Sequence, residues 1–120
     1  MAEIFETQVV NIGKNADEFL SEKMIVLFGE NAPEELKNYC YMIRVTQVVG
    51  EIVPGATLYL GGEPFEITAV GDAVVKNLGQ LGHITIRFDG SRTAELPGTL
   101  YVEAKPIPSI AIGTTIKIIK

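Results

Sequence analysis

The sequence predicts a mainly-β fold, a small barrel with two or three short helices on its outside. Three observations predict it. Short runs rich in β-branched residues recur between glycines and prolines, as strands of small barrels and sandwiches do. These runs do not alternate with long helical segments, which disfavours a doubly wound parallel sheet. The chain also has 120 residues, of which 47% are hydrophobic, enough to fill a core.

The strands are predicted from apolar runs, and the turns between them from glycine and proline. Pro54-Gly55 is predicted to form a turn, and Gly61-Gly62-Glu63-Pro64 is expected to connect a hairpin. The predicted strands are Ile4 to Ile12, Met24 to Phe28 (as a buried strand), Tyr39 to Val49, Ala56 to Leu60, Phe65 to Val70, His83 to Phe88, Thr99 to Ala104 and Thr115 to Ile119.

Helix-start chemistry predicts the three helical segments. Asn15, with Glu18 three residues later, is expected to cap a helix over Ala16 to Lys23. Asn31, Pro33 and Glu34 are typical of a helix start, which predicts one or two helical turns from Pro33 to Asn38. Asp72 is expected to cap a helix from Ala73 to Leu81, although Gly79 weakens this assignment.

The charge and cysteine content exclude several classes of function. Fifteen Asp and Glu residues against ten Lys and Arg residues give a formal net charge of −5. Nucleic acids and anionic membrane surfaces bind basic proteins, so neither is expected as a partner. A single cysteine cannot form an internal disulfide, and no zinc-binding motif is present in the sequence. The sequence also predicts no signal peptide and no membrane-spanning segment. A cytoplasmic protein is therefore expected.

Several stretches together resemble the glucitol/sorbitol-specific IIA family of the bacterial sugar phosphotransferase system. They follow one another in order, with matching spacing, over nearly the whole chain. The stretches are Glu35 to Cys40, Val53-Pro54-Gly55 to Leu60-Gly61, Ile67 to Gly71 with Asn77-Leu78, Leu81-Gly82-His83 to Asp89-Gly90, and Ala94 to Thr99.

The resemblance implies a phosphocarrier of the cytoplasm, with residues 1–120 as a single domain of this family. A member takes phosphate from the small carrier HPr onto a histidine. It passes the phosphate to the membrane-linked IIB and IIC components, which take up and phosphorylate the sugar alcohol. The resemblance implies no metal and no organic cofactor. Imidazole suits this chemistry because it is nucleophilic near neutral pH.

The sequence departs from the family at the residue that should carry the phosphate. The resemblance places the acceptor histidine just after the Tyr39-Cys40 pair, and Ile43 stands there. Isoleucine has no lone pair and cannot carry phosphate. A shifted alignment cannot supply the histidine either, because the chain contains only one.

His83 is that one histidine, and it is the candidate acceptor. The alternation of its predicted strand gives it the same face as Thr85 and Arg87, opposite an apolar face. A hydroxyl and a guanidinium near an imidazole would help to bind phosphate, and Arg44 is a further candidate for this. The alternatives without a role in phosphate binding are a surface histidine that is hydrogen-bonded to the backbone and arginines that are simply solvated. Cys40 is a weaker candidate acceptor, since a buried thiol is usually inert.

Three hypotheses therefore stay open from the sequence. The first is a working phosphocarrier that uses His83. The second is a paralogue that has lost phosphotransfer because of Ile43 and acts as a regulatory or binding module. The third is a barrel that binds a ligand in its interior, which an apolar pocket would indicate. Exposed strand edges would also allow a homodimer.

Overall fold

The computed structural model describes residues 2–120 and folds them into a closed barrel of eight strands, in the order β1-β3-β2-β6-β7-β5-β4-β8. The predicted mainly-β barrel is thereby confirmed. The strands are β1 (Glu3–Ile12), β2 (Met24–Gly29), β3 (Tyr41–Ile43), β4 (Thr57–Leu60), β5 (Glu63–Val70), β6 (Ile84–Arg87), β7 (Thr99–Val102) and β8 (Thr115–Ile119).

Every strand of the barrel has two hydrogen-bonded neighbours. The β2–β3 and β6–β7 pairs are parallel, and the other six pairs are antiparallel. A closed barrel leaves no strand edge unpaired. The strand-edge reason for expecting a homodimer therefore has no basis within residues 2–120.

The interior of the barrel is filled by apolar side chains from alternate positions of the strands. In β2, Ile25 and Leu27 are almost completely buried, whereas Met24, Val26 and Phe28 lie half-buried on the outer face. The expected buried strand is thus buried on one face only. The largest fully buried side chains include Phe5, Phe65, Phe88, Ile43, Leu58, Leu60, Ile67, Ile84 and Ile86. An interior filled in this way leaves no support for the interior-ligand hypothesis.

Three short helices lie outside the barrel, as predicted: a 3₁₀ helix (Ala16–Glu22), α1 (Glu34–Lys37) and α2 (Val74–Leu81). The two predicted caps are wrong. Neither Asn15 nor Ala73, which precede the first and the third helix, makes a side-chain cap hydrogen bond. Asp72 lies one residue too early to cap α2. Backbone carbonyls of Asn15 and Gly71 accept the first N–H groups instead.

The strand predicted from Tyr39 to Val49 is wrong in its length, because only Tyr41–Ile43 pairs as a strand. Beyond Ile43, side-chain hydroxyls replace the backbone ladder. Thr7 Oγ1 donates to the carbonyl of Arg44 at 2.7 Å, and Thr46 Oγ1 donates to the carbonyl of Glu6 at 2.9 Å. The chain still follows β1 after Ile43, since the N–H of Val49 donates to the carbonyl of Ile4 at 2.8 Å, but it forms no regular ladder there.

The hairpin between β4 and β5 is confirmed with a tighter turn than predicted. Leu60 pairs with Glu63, so only Gly61 and Gly62 form the turn. Their φ angles of 61° and 94° lie in the left-handed region, which glycine adopts without strain.

Candidate functional site

His83 lies at the junction where α2 ends and β6 begins. Gly82, with φ 66°, ends the helix, and its N–H donates to the carbonyl of Leu78 at 3.0 Å. The N–H of His83 donates to the carbonyl of Asn77 at 3.3 Å. A Cβ on Gly82 would stand 3.0 Å from the backbone N of Gly29, a tight contact that, with the positive φ, favours glycine here. The backbone of the histidine is therefore fixed between helix and sheet.

The imidazole of His83 is held at both an edge and a face. Its Nδ1 lies 3.1 Å from the carbonyl oxygen of Leu27. Its plane stacks on the ring of Phe28, with a centroid distance of 4.1 Å and an interplanar angle of 17°. A carbonyl only accepts, so Nδ1 must carry the hydrogen, and in the neutral ring Nε2 then keeps its lone pair.

By the spacing of residues along β6, Thr85 lies closer to His83 than Arg87 does. Both share the outer face of β6, where Thr85 stands about 7 Å along the strand and Arg87 about twice as far. The guanidinium of Arg87 contacts Asp89 Oδ2 at 3.0 Å and Met24 Sδ at 3.4 Å. It is thus engaged at the end of the strand opposite to the imidazole.

Arg44 follows β3 and is exposed. Its side chain lines a surface groove with Glu30, Asn31, Val45 and Thr46. The imidazole of His83 makes its contacts with Leu27 and Phe28 instead. The role of Arg44 as a phosphate ligand stays a prediction.

Ile43, the position that the resemblance gives to the acceptor, is completely buried in the barrel core. Its Cδ1 would stand 3.4 Å from a Cβ on Gly82, so it packs beneath the Gly82–His83 junction. Positions 43 and 83 are therefore neighbours, one inside the barrel wall and the other on its outside. His83 is half-buried on the outside, whereas the side chain of Ile43 is closed off from solvent.

Cys40 has the features of an inert thiol. Its side chain is 2% exposed, and Sγ donates to the carbonyl of Leu36 at 3.2 Å. Burial raises the pKa of the Cys40 thiol above its ordinary value of 9.0. The thiolate, which is the nucleophile, is therefore scarce at neutral pH.

The raised pKa of Cys40 predicts a loss of stability in alkali. The unfolded chain gives up this proton first, so the thiol leaves stability unchanged below pH 9.0 and lowers it as pH rises towards the folded pKa. Above pH 9.0, the free energy of unfolding of the wild type should fall more steeply with pH than that of Cys40→Ala. Urea unfolding at a series of pH values measures both. Parallel curves would contradict the burial of the thiol.

The other surface features lie apart from His83. A groove of about 780 Å³ lies on the outside of β1, β4 and β8, between Tyr59 and Lys117. Among residues 2–120, no cluster of three His, Cys, Asp or Glu side chains is placed to bind a metal. No helix within that range is long and apolar enough to span a bilayer.

The sequence did not indicate Leu27 and Phe28 as partners of the histidine. Their contacts depend on the pairing of β2 with β6, where Leu27 stands opposite Ile84 and so brings Phe28 beside His83. The partner strands are more than fifty residues apart in the chain. The alternation of residues predicted that His83 lies on the polar face of its strand. No local feature of the sequence predicted that β2 is the neighbouring strand.

Comparison with known proteins identifies the family. A profile described as the phosphotransferase system glucitol/sorbitol-specific IIA component matches residues 4–117. Glucitol/sorbitol-specific EIIA components of Shigella flexneri and Escherichia coli (strain K12) are each 41% identical over 118 residues, covering 98% of this chain and 95% of theirs. The crystal structure of a phosphotransferase system IIA component from Enterococcus faecalis V583 superposes with a TM-score of 0.83 at 32% identity, covering 97% of this chain and all of that one. This chain belongs to the glucitol/sorbitol-specific IIA component family of the phosphotransferase system.

Proposed function

We propose that this protein is a working phosphocarrier that accepts a phosphoryl group from HPr on His83 and passes it to a IIB component. One observation carries the proposal. The imidazole lies on the outside of the barrel with its Nδ1–H committed to the Leu27 carbonyl, which leaves the lone pair on Nε2. Family membership supplies the class of reaction.

The transfer follows from this protonation state. The Nε2 lone pair of His83 attacks the phosphorus of the donor phosphohistidine, a P–N bond forms, and the donor's P–N bond breaks with its electron pair returning to the donor imidazole. The His83 ring becomes a phosphoimidazolium that keeps its Nδ1–H on Leu27. Onward transfer reverses the step and releases a neutral imidazole. No proton has to leave Nδ1 in either direction.

Thr85 is the side chain that we propose as a phosphoryl contact beside His83. It shares the outer face of β6 and stands about 7 Å from His83 along the strand, which makes it the polar side chain of that face nearest to His83. Arg87 could join it only by leaving Asp89, and an exposed ion pair of this kind contributes no more than about 1 kcal/mol. Arg44 and Arg87 otherwise remain predicted phosphate ligands.

A second candidate is the phosphotransfer-inactive paralogue, acting as a regulatory or binding module. The burial of Ile43 favours it, because the position that the resemblance gives to the acceptor is fully committed to the apolar core. Such a protein would bind the same partners without carrying phosphate.

The proposed partners are HPr as donor and the membrane-linked IIB and IIC components as acceptors, with transfer taking place in the cytoplasm. A direct transfer requires both partners to approach the same outer face around His83, which is half-buried in the free protein. A homodimer also remains a proposal. In a closed barrel it would have to form between outer faces rather than through strand pairing.

The proposal is tested by phosphorylating the purified chain with labelled phosphoenolpyruvate, the general phosphotransferase enzyme and HPr. We expect an acid-labile label that depends on HPr and is lost on addition of an acceptor IIB domain. The Escherichia coli EIIA component, labelled in parallel, serves as the positive control. A labelled control beside an unlabelled wild-type chain would reject the carrier and favour the inactive paralogue.

A further inference from the structure

We propose that Phe28 is a positioning residue for phosphotransfer, which fixes the plane of the His83 imidazole so that Nε2 alone faces the phosphoryl donor. The inference rests on the proposed function for its meaning in the reaction. Its structural content, the orientation and tautomer of the ring, is independent of that function.

Two contacts divide the task of orienting the ring. Stacking at 4.1 Å and 17° on Phe28 restricts rotation of the imidazole out of its plane. A half-turn about χ2 would keep that plane but replace Nδ1 by a carbon at the Leu27 carbonyl, losing the 3.1 Å hydrogen bond. Phe28 therefore sets the plane, and Leu27 selects which edge of the ring, the one with Nε2 or the one with the ring carbons, is left free of the backbone.

Both contacts come from adjacent residues at the end of one strand. Leu27 is fully buried and paired with Ile84, so its carbonyl is held by the barrel itself. Phe28 follows on the outer face, where a phenyl ring gains little from burial unless something covers it. The imidazole is the aromatic group that covers it. A rigid platform of this kind gives a more precise site than a loop would.

The stack also suits the phosphorylated state. A phosphoryl group on Nε2 lies in the plane of the imidazole, so it does not collide with a ring stacked on the face. The phosphoimidazolium carries a positive charge, which the negative face of the phenyl ring attracts. Phe28 is thus expected to stabilise the charged ring as well as to orient it.

The test compares Phe28→Leu, which removes the aromatic face, with Phe28→Tyr, which keeps it. Met24→Leu is the matched control, since Met24 shares the outer face of β2 but contacts Arg87 instead. In ¹⁵N NMR of the unphosphorylated protein, the single imidazole of the wild type should be the Nδ1–H tautomer. Phe28→Leu should show a mixture of tautomers, and Phe28→Tyr should restore the wild-type spectrum.

Phosphotransfer provides the second readout. The rate from phosphorylated HPr should fall about three- to tenfold in Phe28→Leu, as expected for the loss of one aromatic stack. The product should then include Nδ1-phosphohistidine, which the wild type and Met24→Leu should lack. Circular dichroism confirms that each variant is folded.

A folded Phe28→Leu protein with the wild-type tautomer would overturn the inference, whatever its rate of transfer. If HPr labels no variant, the proposed function fails, and the tautomer readout still decides the role of Phe28. Labelling with potassium phosphoramidate would then report the ratio of the two phosphohistidine isomers without a partner protein.

Discussion

His83→Ala is expected to abolish phosphorylation by HPr, lowering the rate at least about a thousandfold, or ~4 kcal/mol in activation free energy. Alanine has no lone pair to attack phosphorus. The chain has no second histidine to take over, and its one thiol is buried. The initial rate of label transfer from phosphorylated HPr measures the effect.

Alanine also removes the contacts with Leu27 and Phe28, so a second variant must separate chemistry from folding. His83→Asn places an amide N–H near the position of Nδ1, where it can still donate to the Leu27 carbonyl. It has no group at the position of Nε2. We expect it to be folded and equally inactive.

Two further variants test the thiol of Cys40 and the position that the resemblance gives to the acceptor, Ile43. Cys40→Ala and Ile43→Val should both be labelled like the wild type, because neither side chain takes part in the transfer. Label that survives in His83→Ala and disappears in Cys40→Ala would place the phosphate on the thiol and contradict the account.

Gly71→Ala is expected to destabilise the protein by about 3 kcal/mol or more, a large fraction of the stability of a small domain. Gly71 joins β5 to α2 and packs against the backbone before β7. A Cβ there would stand 2.2 Å from the carbonyl oxygen of Pro97 and 2.5 Å from that of Leu96. Backbone atoms cannot rotate away as a flexible side chain can.

The close approach of Gly71 to the segment before β7 also positions the elements around His83. The N–H of Gly71 donates to the carbonyl of Thr99 at 3.0 Å, and that of Ala73 donates to the carbonyl of Pro97 at 2.9 Å. Displacing Pro97 would therefore shift both the start of α2 and the start of β7. Urea unfolding followed by circular dichroism measures the loss of stability.

Gly79→Ala is the matched control, and its effect should have the opposite sign. Gly79 lies inside α2, where a Cβ would meet only Val48 Cγ2 at an ordinary 3.7 Å. Alanine should stabilise the helix by about 0.5–1 kcal/mol. Equal unfolding midpoints for the two variants would contradict the close approach at Gly71.

Local pattern was sufficient for much of the fold. Alternation in β6 placed Ile84 and Ile86 inside the barrel and Thr85 and Arg87 outside, as the structure has them. The β4–β5 hairpin followed from its glycines, because its turn requires positive φ angles that few other residues adopt.

Elements that depend on distant partners were less predictable. The residues after Ile43 have strand propensity and still follow β1, but hydroxyl bonds from Thr7 and Thr46 and a backbone bond from Val49 to Ile4 stand there in place of a regular ladder. Asn15 and Asp72 have cap chemistry, but the backbone itself satisfies the first N–H groups of their helices. The contacts of His83 needed the register of β2 on β6, which sequence periodicity does not contain.

The most direct test of phosphate transfer to His83 is the ¹⁵N NMR spectrum of its imidazole before and after phosphorylation by phosphoenolpyruvate, the general enzyme and HPr. Only this protein is labelled with ¹⁵N in the experiment. Because its chain has a single histidine, every imidazole signal then belongs to His83. We predict that the Nε2 signal shifts and becomes coupled to ³¹P, while Nδ1 keeps its hydrogen. An imidazole spectrum that stays unchanged, under conditions that fully phosphorylate the Escherichia coli EIIA component, would contradict the account.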